Sequence, residues 1–284
     1  MTEHAQSLAQ IGAQTSLEVG VGHMLLNIAD PHPGHEREYT RWYEDDHFFS
    51  SAMMAPFVFA GRRWVAPADL RRLQYGRPGG EYSNSSRGSY AATYWIAPGH
   101  LNDYFAWAAG TGPQLDAQGR NFTERQLAFV SFADQVGTVY RDDRAPRDVF
   151  SLMDPPGGMV VQLIDVPDST DRDATADWLL DEFLPARLAR EEASVLSVLV
   201  FRGAADTSAM RPALQDLQRK ADNDGRRLVL LWFLEGDPRD AWEREFDALP
   251  KAIAASGHGT VEWTAPFVPA HMGTDDYADS LGLV

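Results

Sequence analysis

Residues 42–48 read Trp-Tyr-Glu-Asp-Asp-His-Phe and set three carboxylates and an imidazole between large aromatics. A histidine with its ordinary pKa near 6.5 takes up and returns a proton at neutral pH, and a neighbouring carboxylate can orient a partner or share that proton. His47 is therefore the candidate general acid/base, with Asp46 as its partner. Tyr43 and Tyr94 are candidate donors to a developing oxyanion. The competing reading is structural, with His47 bonded to a backbone carbonyl and Asp46 paired with Arg62 or Arg63.

These residues need an element to hold them. A helix is predicted from about His35 to Met54, ended by Pro56. At about 100° per residue, Tyr39, Trp42, Tyr43, Ser50 and Met53 share one face, with Asp46 near its middle, His47 at its edge and Asp45 pointing away. A carboxylate centred on an apolar face costs several kcal/mol unless paired, so Asp46 is either a structural partner or part of a lined pocket.

Strands are predicted at 23–29, 57–65, 89–97 and 127–140, with a second helix at 100–109. The order is βαββαβ. It recurs as strand 159–166, helix 174–192, strands 195–201 and 227–234, helix 238–255 and strand 260–267. An extra helix at 210–223 replaces the long loop 66–87 of the first half. Trp42 to Phe48 aligns with Trp178-Leu-Leu-Asp-Glu-Phe-Leu184. The expected fold class is α+β, two tandem ferredoxin-like units. The expected divisions are a flexible tail 1–22, a site-bearing repeat 23–142, a linker 143–157, a degenerate repeat 158–270 and a tail 271–284. Glu182 and Phe183 stand where Asp46 and His47 stand in the first half, which implies one site per chain.

By strand alternation Tyr90, Ala92, Tyr94 and Ile96 share a face, and Trp95 lies on the other. His23, Leu25 and Asn27 alternate with Met24, Leu26 and Ile28. Arg62 and Arg63 point to opposite faces, so at most one reaches a given cavity. Candidate substrate-binding residues are Asn27, Arg62, Tyr90, Tyr94, Trp95 and Trp107, a supply that favours a small hydrophobic or aromatic molecule. Arg71, Arg72 and Arg77 in the long loop form either a lid or a solvated surface.

Composition removes other classes. The net charge of −16 argues against nucleic acid and against an anionic membrane surface. With no cysteine there is no disulfide, thiolate nucleophile or thiolate metal site. No apolar run reaches membrane-spanning length, and the first residues lack a signal-like pattern, so a cytoplasmic protein is expected. There is no glycine-rich phosphate loop, nucleophile elbow or zinc-helix motif. His32, His35 and Glu36 offer metal ligands, but His47 lies roughly 18 Å from His35 by helical rise. Neither metal nor cofactor is expected.

An early helix reading Tyr-x-x-Trp-Tyr-x-x-x-His, then Pro and an aromatic, Gly- and Arg-containing strand, resembles the EthD-like branch of the dimeric α+β barrel superfamily. The matching residues are Tyr39, Trp42, Tyr43, His47, Pro56, Phe57, Gly61, Arg62 and Arg63, and the resemblance covers about residues 22–140. It implies that the two halves pair their sheets into a barrel within one chain; by the alternation on the first strand, Asn27 is expected to face its interior. That superfamily includes cofactor-free monooxygenases, cyclases, lactone isomerases, dehydratases and haem enzymes, though no histidine here is singled out as a haem ligand. The expected function is a cofactor-independent lyase or isomerase acting on a small aromatic or polycyclic compound. The alternatives are a non-catalytic carrier of a hydrophobic metabolite and a cofactor-free monooxygenase. The chain is expected as a monomer or, through its 271–284 tail, as a homodimer.

Overall fold

Alternating side chains along β-branched and aromatic runs favour half-buried strands. In the computed structural model, which describes residues 20–83 and 87–282, these runs form nine antiparallel strands. They are β1 (His23–Pro31), β2 (Val58–Val65), β3 (Tyr75–Gly76), β4 (Tyr90–Ile96), β5 (Arg125–Tyr140), β6 (Gly158–Asp165), β7 (Val195–Gly203), β8 (Arg227–Leu234) and β9 (Thr260–Pro269). Eight of them close a barrel in the order β2-β4-β1-β5-β7-β8-β6-β9, with β9 returning to β2; β3 flanks β9. Within each half the first, second, third and fourth long strands lie in the order second, third, first, fourth. One seam joins β5 to β7 along Ala133–Tyr140. The other is shorter, joining β2 to β9 at Trp64 and Val65 and extended by the Ala270 amide, which donates to the Arg63 carbonyl.

The barrel interior is full. Met24, Trp64, Trp95, Phe201, Phe233, Trp263 and Phe267 are all completely buried, and Trp95 stacks on Phe201 while Trp64 meets Phe233. An eight-stranded barrel is just wide enough for side chains to fill it. Met24, Leu26 and Ile28 are fully buried and Asn27 is not, so the apolar set of β1 serves the barrel and Asn27 faces the helical layer. This corrects the expectation that Asn27 points inward.

The helical layer differs from expectation in one informative place. The predicted helix over 35–54 is α1 (Glu36–Trp42) followed by two π-helical turns, Tyr43–His47 and Phe49–Met53. Each π turn admits an extra residue, so the regular 100° phase fails after Trp42. The remaining helices are α2 (Ala68–Arg71), α3 (Leu101–Ala117), α4 (Arg172–Trp178), α5 (Leu184–Leu188), α6 (Pro212–Ala221), α7 (Pro238–Glu245) and α8 (Leu249–Ser256). A π turn, Leu179–Phe183, separates α4 from α5, so each half has one directly after the aligned tryptophan. None of the described helices is long and apolar enough to cross a membrane.

Other expectations shift. Residues 1–19 of the expected N-terminal tail lie outside the described residues, but Val21 is buried and the Gly22 amide donates to the Ile96 carbonyl. The expected linker packs down: Val149 and Leu152 are buried, and Trp95 donates to the Asp148 carbonyl. In the long loop Arg71 is buried and donates to the Leu281 carbonyl, and Arg77 pairs with buried Glu262, so neither acts as a lid. The described part of the C-terminal segment packs on its own chain. Arg37 pairs with Asp275 and Asp279, and Leu281 is fully buried.

One buried ion pair fixes the first π turn to the sheet. Glu44 accepts from Arg63 of β2 at 2.6 Å and also accepts the Gly273 amide at 2.7 Å. The Arg63 guanidinium lies over the Tyr43 and Tyr90 rings, 4.4 and 4.7 Å from their centroids. Breaking such a pair leaves a charge buried and uncompensated. Glu44→Gln is expected to cost about 3 kcal/mol in urea unfolding; a loss below about 1 kcal/mol would show that Arg63 finds another acceptor.

Candidate functional site

The space that the barrel lacks lies outside it, between the first half's sheet and its helices. A cavity of about 360 Å³ is floored by Leu25 and Asn27 of β1, Tyr94 of β4 and Val130 and Phe132 of β5. Tyr43, His47 and Ser51 of the π turns form one wall, and Tyr104 to Leu115 of α3 another. Met210, Arg211, Leu214 and Leu217, on and before α6, close it from the second half. The matching layer of the second half is filled by Leu179, Leu184, Trp232, Trp242, Phe246 and their neighbours.

The π turn decides which side chain faces the cavity. Because its backbone bonds span five residues, His47 comes to lie over Trp42, five positions earlier, with ring centroids 4.0 Å apart and planes 25° apart. Tyr43 meets His47 edge-on at 5.1 Å. Trp42 is anchored behind them by its indole N–H, which donates to the Arg120 carbonyl at 2.7 Å. In the second half Phe183 sits against Trp178 at 4.8 Å with the planes tilted by 33°.

The same turn carries Asp46 away. Asp46 pairs with Arg120 near the surface and does not line the cavity. The Arg120 hydrogen bond holds its carboxyl below the usual range, against a smaller opposing effect of burial. Asp46 is thus a structural partner, of Arg120 rather than of Arg62 or Arg63. It was placed on the inward face because a regular α-helix was assumed.

His47 is mostly buried and its Nδ1 has no hydrogen-bond partner. Burial first, and the positive charge of Arg125 second, hold its pKa down to about 3, so the imidazole is neutral across the physiological range. Tyr43 and Tyr94 share a hydroxyl–hydroxyl bond of 3.1 Å. Burial raises both phenols, Tyr94 well above its ordinary value, so each keeps its proton. Asn27 Oδ1 is also buried without a partner.

The other candidates divide. Tyr94 and Trp107 line the cavity with Tyr43, His47 and Asn27. Tyr90 does not; its hydroxyl bonds Thr40 and its ring supports Arg63. Trp95 is in the barrel interior, because alternation on β4 sends it opposite to Tyr94. Arg62 lies on the far side of β2, near Asp154 and the Ala270 carbonyl. Sequence reasoning missed Arg125, Arg211 and the α3 wall. The predicted helix 100–109 stops before Gly110, Gly112 and Pro113, whereas α3 runs through them to Ala117. Gly112 lies against the Arg211 guanidinium, which a β-carbon would displace. His32 and His35 pair with Glu124 and Glu38, and no group of three or more potential metal ligands gathers among the described residues.

No protein-family model matches the chain, and no curated protein matches it in sequence. Solved structures do match its shape. A variant of DypB from Rhodococcus jostii RHA1, in complex with heme, superposes with a TM-score of 0.50 at 11% identity, covering 95% of this chain and 98% of that one. The encapsulated DyP-type peroxidase of Mycobacterium smegmatis gives 0.49 at 13% identity, covering 93% and 96%. An anthrone oxidase-like protein gives 0.49 at 12%, covering 90% and 96%. At such identities the likeness is one of fold, the ferredoxin-like α+β barrel.

The depressed pKa of His47 ties stability to pH. Above pH 6.5 the imidazole is neutral in folded and unfolded chains alike. Below it the unfolded chain takes up a proton that the folded one refuses until pH falls to about 3. His47 therefore adds a loss of up to about 1.4 kcal/mol per pH unit through that window. His47→Phe should lose stability less steeply than the parent in urea titrations between pH 6 and 4; parallel slopes would show that His47 is not held neutral.

Proposed function

We propose that the chain is a two-repeat, EthD-like α+β barrel enzyme. In this reading it acts without a cofactor on a small aromatic or polycyclic compound, as a lyase or isomerase. One observation carries it: a neutral imidazole with an unpartnered buried nitrogen borders an aromatic-lined cavity beside the Tyr43–Tyr94 hydroxyl pair. The common strand order of the two halves and their tryptophan-led π turns support reading 23–142 and 158–270 as repeats joined by 143–157. The Tyr39, Trp42, Tyr43, His47, Pro56 and Gly61 pattern supports the EthD-like branch.

Neutral His47 accepts a proton from an acidic C–H or O–H of the substrate, and the electron pair left behind is delocalised onto a substrate oxygen. Tyr43 or Tyr94 donates to that oxygen, which is worth most in a site shielded from water. His47 then returns the proton to a different atom in an isomerase, or to departing hydroxide in a lyase. Asp46, fixed on Arg120, has no part in the transfer.

Heme, which the Rhodococcus protein holds, fits this lining poorly. A histidine on a metal ordinarily donates its second ring nitrogen to a carboxylate, a carbonyl or water. His47 Nδ1 meets none of the protein's, and the nearby Asp46 is taken by Arg120. One observation favours a second reading, a non-catalytic carrier for the same ligand: an imidazole held near 3 is a weak base at neutral pH.

The second half supplies the test. Phenylalanine already occupies this position at Phe183, so His47→Phe keeps the packing and removes both nitrogens. Against a panel of phenols, naphthols and aromatic ketones, the variant should lose at least about 100-fold in turnover while its melting temperature stays within a few degrees. Ligand binding with unchanged product profiles in both proteins would support the carrier instead.

A further inference from the structure

The charge of the cavity runs against that of the chain. The protein carries a net charge of −16, yet no Asp or Glu lines the cavity among the described residues, while Arg125 and Arg211 do. Arg125 stands at the start of β5 with its guanidinium 4.6 Å from the Trp42 ring centroid. Its Nη1 is buried with no acceptor. Leaving a buried donor unmet costs its full desolvation, and more for a charged group. A −16 chain has carboxylates to spare, and those near this wall are bound elsewhere: Asp46 to Arg120 and Glu124 to His32.

Two more orphaned atoms, Asn27 Oδ1 and His47 Nδ1, belong to the same lining. The rest of the wall is flat and apolar, with Tyr104, Phe105, Trp107 and Phe132 in it. A planar guanidinium recognises an ionised oxygen with a directed pair of N–H donors, and aromatic walls recognise a ring. We propose that the ligand of this cavity is a planar aromatic anion, a carboxylate or an ionised phenol, with its charged oxygen on Arg125 and its ring among Trp107, Tyr104 and Phe132. This rests on the reading of the cavity as the functional site and names its substrate class.

The assignment also explains how a poor base becomes a useful one. The Arg125 charge is among the causes that keep His47 unprotonated. An anion seated on that guanidinium offsets the charge, so His47 accepts a proton more readily when the ligand is present. Arg125 is thus a substrate-binding residue that also tunes the base.

The test is binding alone, measured by calorimetry on the full chain with 2-naphthoate and its neutral isostere 2-naphthamide. The parent should bind the anion about tenfold or more tightly than the amide. Arg125→Met, which keeps an apolar stem on Trp42, should erase that preference. Arg125→Lys, which keeps the charge and loses the fork, should retain part of it, so the result does not depend on one variant's folding. A parallel arm with 4-nitrophenol, above and below its ionisation, separates a phenolate site from a carboxylate site. Equal binding of acid and amide, an undiminished preference in Arg125→Met, or no binding of either anion at millimolar concentration would overturn the proposal. His47→Phe should keep the anion preference. Loss of its turnover with the preference intact supports both readings, and an absent preference beside a lost turnover sinks only the substrate class.

Discussion

A closed barrel of eight strands leaves room inside for its own side chains and little else. Here tryptophans and phenylalanines take that room. The cavity bordered by His47 lies on the outer face of the sheet, where helices stand off from it. The second half fills that gap with leucine and tryptophan. The first half leaves it open, and its cavity residues reach it from β1, β4 and β5 because their inward neighbours are committed to the barrel.

On that outer face, one local departure from regular helix sets the chemistry. The π turn after Trp42 brings His47 over the indole ring and sends Asp46 to Arg120. The second half makes the same turn after Trp178, but the aromatic partners are exchanged. Trp42 stacks with His47 and Phe122, whereas Trp178 stacks with His258 and meets Phe183 at a tilt. The imidazole is on the cavity side in one half and in the loop before β9 in the other. The scaffold is shared and the chemistry is not.

Much of the fold was legible because strands have a period of two and their burial follows directly from it. The eight long strands stand within a few residues of where alternation puts them, and β8 falls on 227–234. The position of His47 was legible from its tryptophan and tyrosine neighbours. The role of Asp46 was not, since a π turn leaves no mark in hydrophobic periodicity and a single extra residue rotates everything after it. Asn27 was assigned the wrong side of the sheet because its apolar neighbours were not yet known to fill a barrel. Arg125 was invisible for a different reason. Its significance lies in the absence of a partner, and absence is a property of three-dimensional surroundings rather than of spacing. The long reach of α3 was hidden by Gly110, Gly112 and Pro113, which read as a stop in isolation; of these, Gly112 lies against the Arg211 guanidinium.

The two seams of the barrel are unequal, and this has a consequence for its breathing. The β5–β7 seam runs the length of Ala133–Tyr140, while the β2–β9 seam has Trp64 and Val65 opposite Pro269 and Val268 and one further bond from the Ala270 amide to the Arg63 carbonyl. Proline has no amide hydrogen to contribute to such a ladder. Native-state fluctuations open proteins first where few backbone bonds resist them. The short seam therefore has fewer ladder bonds to resist opening, and the ties from Arg37, Glu44 and Arg71 to the segment after β9 brace it. On backbone pairing, amide exchange near Val268 would run faster than across the floor of the cavity, where β1 is bonded on both sides.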